Sequence, residues 1–219
     1  INYDLICTSD YMVEKMILAG EVQEIDTTDM EYYDNLDPKY LEFCRAFDPE
    51  NKYAVPYFWG TVGICYNTEM VDEEVDSWDI LWNPKYSDQI IMENSMRDAF
   101  IAPLKLMGES INTTDKNLLV QAQQKLFDQK KNVMAYLVDE SRDAMISGDA
   151  AMAMIYSGDA TAAMEANDAL DYCVPKEGSN IWFDCFMIPK TAKHKKAAEK
   201  FIDFMNREDI GMMNFDYIY

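Results

Sequence analysis

Short apolar runs alternate along the chain with stretches that repeat apolar side chains every three to four positions. The runs at 3–7 (YDLIC), 89–93 (QIIME), 133–137 (VMAYL), 150–156 (AAMAMIY), 170–175 (LDYCVP) and 184–189 (DCFMIP) predict strands. Residues 53–67 read as two consecutive strands interrupted at Pro56 and the FWG triplet. Helical spacing marks 9–20, with Ser9 as cap and Gly20 as stop, and 95–108, with Ser95 as cap and a kink at Pro103. It also marks 113–132, 139–148, 157–167 and 194–208, the last followed by a shorter helix. A short capped helix is expected at 77–86, and residues 21–52 read as polar, turn-rich loop. This alternation predicts an α/β protein with largely parallel sheets.

The 219 residues, 49% of them hydrophobic, suffice for one large domain or two small ones. No run approaches the roughly 18 apolar residues of a membrane span. No signal segment is present, and a chain that begins with Ile reads as processed or trimmed. Forty Asp and Glu against 19 Lys and Arg give a net charge of −21. That charge argues against a nucleic-acid partner, whose phosphates need a basic footprint, and is compatible with a cationic ligand. Acidity also serves solubility alone. Cys7, Cys44, Cys65, Cys173 and Cys185 form no CxxC and predict no disulfide framework, though one bridge is open; most, with Cys7, Cys65, Cys173 and Cys185 in apolar runs, read as small core residues.

In α/β sheets ligands collect beyond the carboxyl ends of strands. There the sequence places Ser9, Asp10 and Tyr11, then Ser95 and Asp98, then Tyr156, Ser157 and Asp159. Trp59, Trp182 and Asp184 stand at strand mouths. Carboxylates supply the counter-charge an ammonium needs, and aromatic faces attract cations and cover methylenes. Each residue also has an ordinary structural role: Ser9 and Ser95 as caps, Asp98 and Asp159 complementing helix dipoles, and the aromatics as core. The one histidine, His194, opens a Lys-rich helix and is expected to be solvated. No metal cluster motif, GxSxG, GxGxxG or P-loop occurs, so no catalytic residue, metal or cofactor is predicted. A hydrolase using paired carboxylates stays open as a remote alternative.

The segments YDLICTSDYMVEKM, NLDPKY, FDPENKYAVPYFWGTVGICYN, SWDILWNPKY, MAMIYSGDA and VPKEGSNIWFDCFMIPKTAKHKKAAEKFIDFM, in this order, resemble the bacterial spermidine/putrescine-binding proteins. These are the extracytoplasmic solute-binding components of polyamine ABC transporters. The resemblance implies a type II periplasmic-binding-protein fold: two Rossmann-like lobes joined by hinge strands, with the ligand in the cleft between them. Lobe one would hold 1–64 and 185–219, incomplete here, and lobe two 65–184. Family members extend further at both ends, so the chain looks trimmed.

Carried over by position, the resemblance makes Ser9, Tyr11, Ser95, Asp98, Tyr156, Asp159, Trp182 and Asp184 the ligand-binding residues. Ser9 would offer a hydroxyl and Tyr11 a ring face. Asp98 stands where relatives often carry Glu, and Tyr156 where many carry Trp. Asp159 matches a carboxylate used by putrescine-binding members. Trp182 would lie on methylenes while Asp184 pairs with an amine. Ser95 falls where spermidine-preferring relatives carry Asp. The implied protein is a monomer and not an enzyme. Its partners would be a polyamine and a permease, and its place outside the cytoplasm, in the periplasm or at the surface as a lipoprotein. Its contact with the membrane would be only through a lipid anchor or the permease. Another small cationic or amino-acid ligand on the same fold is the alternative.

Overall fold

A computed structural model describes residues 2–218. In chain order the elements are β1 (Ile6–Ser9), α1 (Asp10–Leu18), β2 (Val22–Gln23), α2 (Pro38–Cys44), β3 (Ala54–Gly60), β4 (Val62–Asn67) and β5 (Ile90–Glu93). Then come α3 (Met96–Ala99), α4 (Ile101–Leu106), α5 (Lys116–Gln129), β6 (Val133–Leu137), α6 (Glu140–Ser147), β7 (Met152–Tyr156) and α7 (Ser157–Ala166). The chain closes with β8 (Leu170–Cys173), β9 (Trp182–Pro189), α8 (Lys195–Met205) and α9 (Glu208–Ile218). Two compact units form: one runs up to Trp59 and resumes at Trp182, the other spans Gly60–Ile181. The expected boundaries, 64/65 and 184/185, fall inside β4 and β9, whereas the units divide near the starts of those strands.

In the first unit β9 lies between β1 and β2, antiparallel to both, and also pairs with β3. Its period-two alternation sorts its side chains onto two faces. Phe183, Cys185 and Met187 join Val13, Val22, Cys44 and Ala54 on one face. Phe186 and Ile188 join Ile25, Val55, Ala198 and Ile202 on the other. Pro56 sits inside β3 instead of breaking it. A proline lacks the N–H for a second partner strand, and β3 meets the sheet only through β9. The loop expected at 21–52 contains α2, because Asp37 caps Lys39 N at 2.8 Å and Pro38 pre-sets the first turn.

The second unit is a five-stranded sheet in the order β6-β5-β7-β4-β8. β5 is parallel to β6 and β7, while β4 is antiparallel to β7 and β8. The expectation of largely parallel sheets is therefore corrected to mixed ones. The opposing strands, β4 and β9, are the ones the chain makes on entering each unit, so no helical crossover within the unit fixes their direction. All four β5 residues are buried. The helix expected at 95–108 is split at Phe100. Pro103 has no N–H for the Ala99 carbonyl and its ring crowds that oxygen, so the break comes one turn earlier than the proline. The 77–86 segment forms two 3₁₀ turns, the first capped by Ser77.

Among the described residues no helix is long and apolar enough to cross a membrane. The five thiols are free; Cys7 is exposed and Cys173 half-buried, against the expected core placement.

Candidate functional site

The eight expected residues divide evenly between the units. In the first, Ser9 and Asp184 face each other across the β1–β9 register, and Ser9 Oγ donates to Asp184 Oδ1 at 2.8 Å. Ser9 stands at the N-cap of α1 but makes no capping bond with its side chain, because its hydroxyl is engaged by the carboxylate. Trp182 and Asp184 occupy the same face of β9 as Phe186 and Ile188. Along that face exposure falls from half-buried at Trp182 and Asp184 to closed core at Ile188. The strand mouth thus offers an aromatic surface and a carboxylate where the apolar core ends. Tyr11 lies in the first turn of α1 with its side chain exposed. Its neighbour Asp10 accepts from Phe183 N at 3.1 Å, which ties α1 to the start of β9.

In the second unit Tyr156, the last residue of β7, donates its hydroxyl to Asp98 Oδ2 at 2.8 Å. Ser95 is the cap of α3, accepting from Asp98 N at 3.4 Å, so Ser95, Asp98 and Tyr156 form one connected group. Asp159, in the first turn of α7, lies 3.8 Å from Arg142 Nη1. Burial raises its carboxyl above the usual range; Arg142 opposes the rise, and Asp139 and Asp143 add to it.

Sequence reasoning passed over Glu93. It closes β5, is 1% exposed, and neither carboxylate oxygen has a hydrogen-bond partner. Burial pushes its carboxyl up to about 8, with Asp98, Asp159 and Asp139 adding to the rise. The available signal was an acid ending the otherwise apolar run QIIME. Tyr40 and Trp59, stacked with centroids 5.0 Å apart, were likewise not paired in advance. They line an apolar pocket of about 70 Å³ with Phe183. An open depression of about 570 Å³ near Glu73, Asp79 and Trp82 contains none of the eight residues.

His194 is exposed and its Nδ1 lies 2.7 Å from Asp4, whose carboxyl it helps hold down at about 2. The chemistry on offer is recognition of positive charge by hydrogen-bonded carboxylates.

The chain is 36% identical over 209 residues to the spermidine/putrescine-binding periplasmic protein of Salmonella typhimurium, covering 95% of this chain and 60% of that one. It is 28% identical over 236 residues to the putrescine-binding periplasmic protein PotF of Escherichia coli, covering 100% and 64%. The chain thus spans about 60% of the length of these curated relatives. The solved spermidine/putrescine ABC transporter substrate-binding protein PotD of Streptococcus pneumoniae superposes with a TM-score of 0.86 at 37% identity, over 100% of this chain and 67% of that one. The TpPotD lipoprotein of Treponema pallidum gives 0.90 at 26%, over 97% and 67%. These likenesses show the periplasmic-binding-protein fold expected from the sequence. The family model for bacterial extracellular solute-binding proteins matches residues 2–216, and with both units of the fold accounted for, the chain belongs to that family.

Proposed function

We propose that this protein binds a polyamine, putrescine or spermidine, outside the cytoplasm and delivers it to the permease of an ABC transporter. It makes and breaks no covalent bond. It works as a monomer, in the periplasm or held at the surface by a lipid anchor.

The observation that carries this reading is the doubling of one motif. Each unit presents a carboxylate already bonded to a hydroxyl, Ser9–Asp184 in the first and Tyr156–Asp98 in the second, beside an aromatic side chain. An amine carried on methylenes matches what each unit supplies by itself. Each ammonium gains charge-assisted hydrogen bonds, and each CH₂ covered by an aromatic face contributes about 0.8 kcal/mol. The names of the relatives support the same ligand class. Asp159 adds a further carboxylate in the second unit.

Calorimetric titration of the full chain with putrescine and with spermidine tests the proposal. Saturable heat with at least one is expected; no heat and no thermal shift with either overturns it.

A further inference from the structure

Glu93 is the one strongly buried acid in the described part of the second unit with both carboxylate oxygens lacking a hydrogen-bond partner. Of the elements packed on β5, α3 carries Arg97 and Asp98, β6 carries Tyr136, and β7 carries Tyr156, which bonds Asp98. The charges that bear on Glu93 are those of Asp98, Asp159 and Asp139, all negative. Arg142 lies 3.4 Å from Asp143 and 3.8 Å from Asp159 and so partly neutralises those two. An ionised carboxylate in this place has neither a donor nor a cation, whereas the protonated acid forgoes only a hydrogen bond.

We propose that Glu93 is a further carboxyl of the amine subsite in the second unit, neutral in the empty protein and ionised when an ammonium group docks beside Asp98 and Asp159, so that amine capture releases a proton. The inference rests on the amine reading given above. The balance is simple: the neutral acid and the ammonium become a carboxylate–ammonium pair, and the acid's proton passes to the solvent. No covalent bond other than O–H changes. Because the acid sits near 8 in the empty protein, about 0.9 proton leaves per amine bound at pH 7.

Titration of the full chain with putrescine at pH 7, in Tris and in phosphate, reads this directly. The observed enthalpies are expected to differ by about nine-tenths of the difference in buffer ionisation heats, and Glu93→Gln is expected to abolish that difference. Affinity of the unmodified chain is expected to rise up to about tenfold from pH 6 to 7 and flatten above 8, while the ligand amines, ordinarily near 10, stay charged. A buffer-independent heat overturns proton release and leaves amine binding standing. Proton release undiminished in Glu93→Gln overturns the assignment to Glu93. Absence of heat overturns the amine reading and this inference together. Carbon-detected titration of the Glu93 carboxyl in the empty chain needs neither ligand nor variant: a midpoint near 8 is expected, and one near 4.5 overturns the proposal.

Discussion

Ser9 donates its hydroxyl to Asp184 at 2.8 Å across the register pair that ends β1 against β9. The bond keeps one lone-pair direction of the carboxylate occupied and fixes its orientation. Because Asp184 and Trp182 share a strand face with the core residues Phe186 and Ile188, the packing that anchors β9 also sets the aim of the carboxylate. Side chains on strands keep their places better than side chains on loops.

Asp184→Asn is therefore expected to weaken polyamine binding by about tenfold or more, since a charge-assisted hydrogen bond contributes about 1.5–3 kcal/mol. Ser9→Ala removes only an orienting neutral donor, and a loss of about two- to tenfold is expected. Calorimetric titration checks both. An Asp184→Asn affinity within about twofold of the original sinks the charge-pairing role.

The same logic applies in the second unit with a different hierarchy. Tyr156→Phe deletes the donor to Asp98 but keeps the ring, so its affinity loss should be smaller than that of Asp98→Asn, which removes the charge and leaves the Tyr156 hydroxyl facing an amide. Equal losses, or a larger loss for Tyr156→Phe, would mean the hydroxyl is the recognition group and Asp98 its support.

Much of this was legible in the sequence, for identifiable reasons. β5, β7 and β9 were visible because their apolar runs are buried on both faces. The group Ser95–Asp98 was visible because a cap and a first-turn acid have fixed spacing. Strand direction in β4 and β9 was not visible, because the alternation of elements records crossovers and neither strand is preceded by one within its unit. Helix α2 was missed because Asp37-Pro38 serves equally as a turn and as a helix start, and only packing of Cys44 and Tyr40 decides between them. Glu93 was missed because a strand-ending acid reads as the start of the next loop. Its lack of a partner is a property of three-dimensional surroundings that no local pattern carries.

Gly63, in β4 between β7 and β8, shows how closely that sheet is built. A Cβ there would stand 2.5 Å from the Cys173 carbonyl oxygen and 2.5 Å from the Tyr172 ring. The ring covers the bare backbone and its hydroxyl reaches Thr61 Oγ1 at 3.1 Å. Gly63→Ala must push Tyr172 aside and strain the β4–β8 pairing, where the obstacle is backbone and cannot swing away. A destabilisation of about 1–3 kcal/mol is expected in denaturant unfolding. Wild-type stability in the alanine variant would show that β8 is loosely held.

Glu93 also predicts a stability profile that does not depend on any ligand. Its carboxyl titrates near 8 in the folded chain against an ordinary 4.5. Below 4.5 the group is protonated whether the chain is folded or not, and the full stability is present. As pH rises from 4.5 towards 8 the unfolded chain gives up the proton first, so folding is opposed by up to about 1.4 kcal/mol per pH unit. Above 8 both states are ionised and the loss levels off. Gln reproduces the shape of the neutral acid and cannot ionise. Glu93→Gln should therefore match the original chain at pH 4 and exceed it at pH 7 by on the order of 3 kcal/mol, with the other carboxylates cancelling in the comparison. Paired urea titrations at the two pH values measure that difference. A variant that is equally displaced from the original at both, or less stable at pH 7, would show that Glu93 is ionised in the folded protein and compensated by a cation.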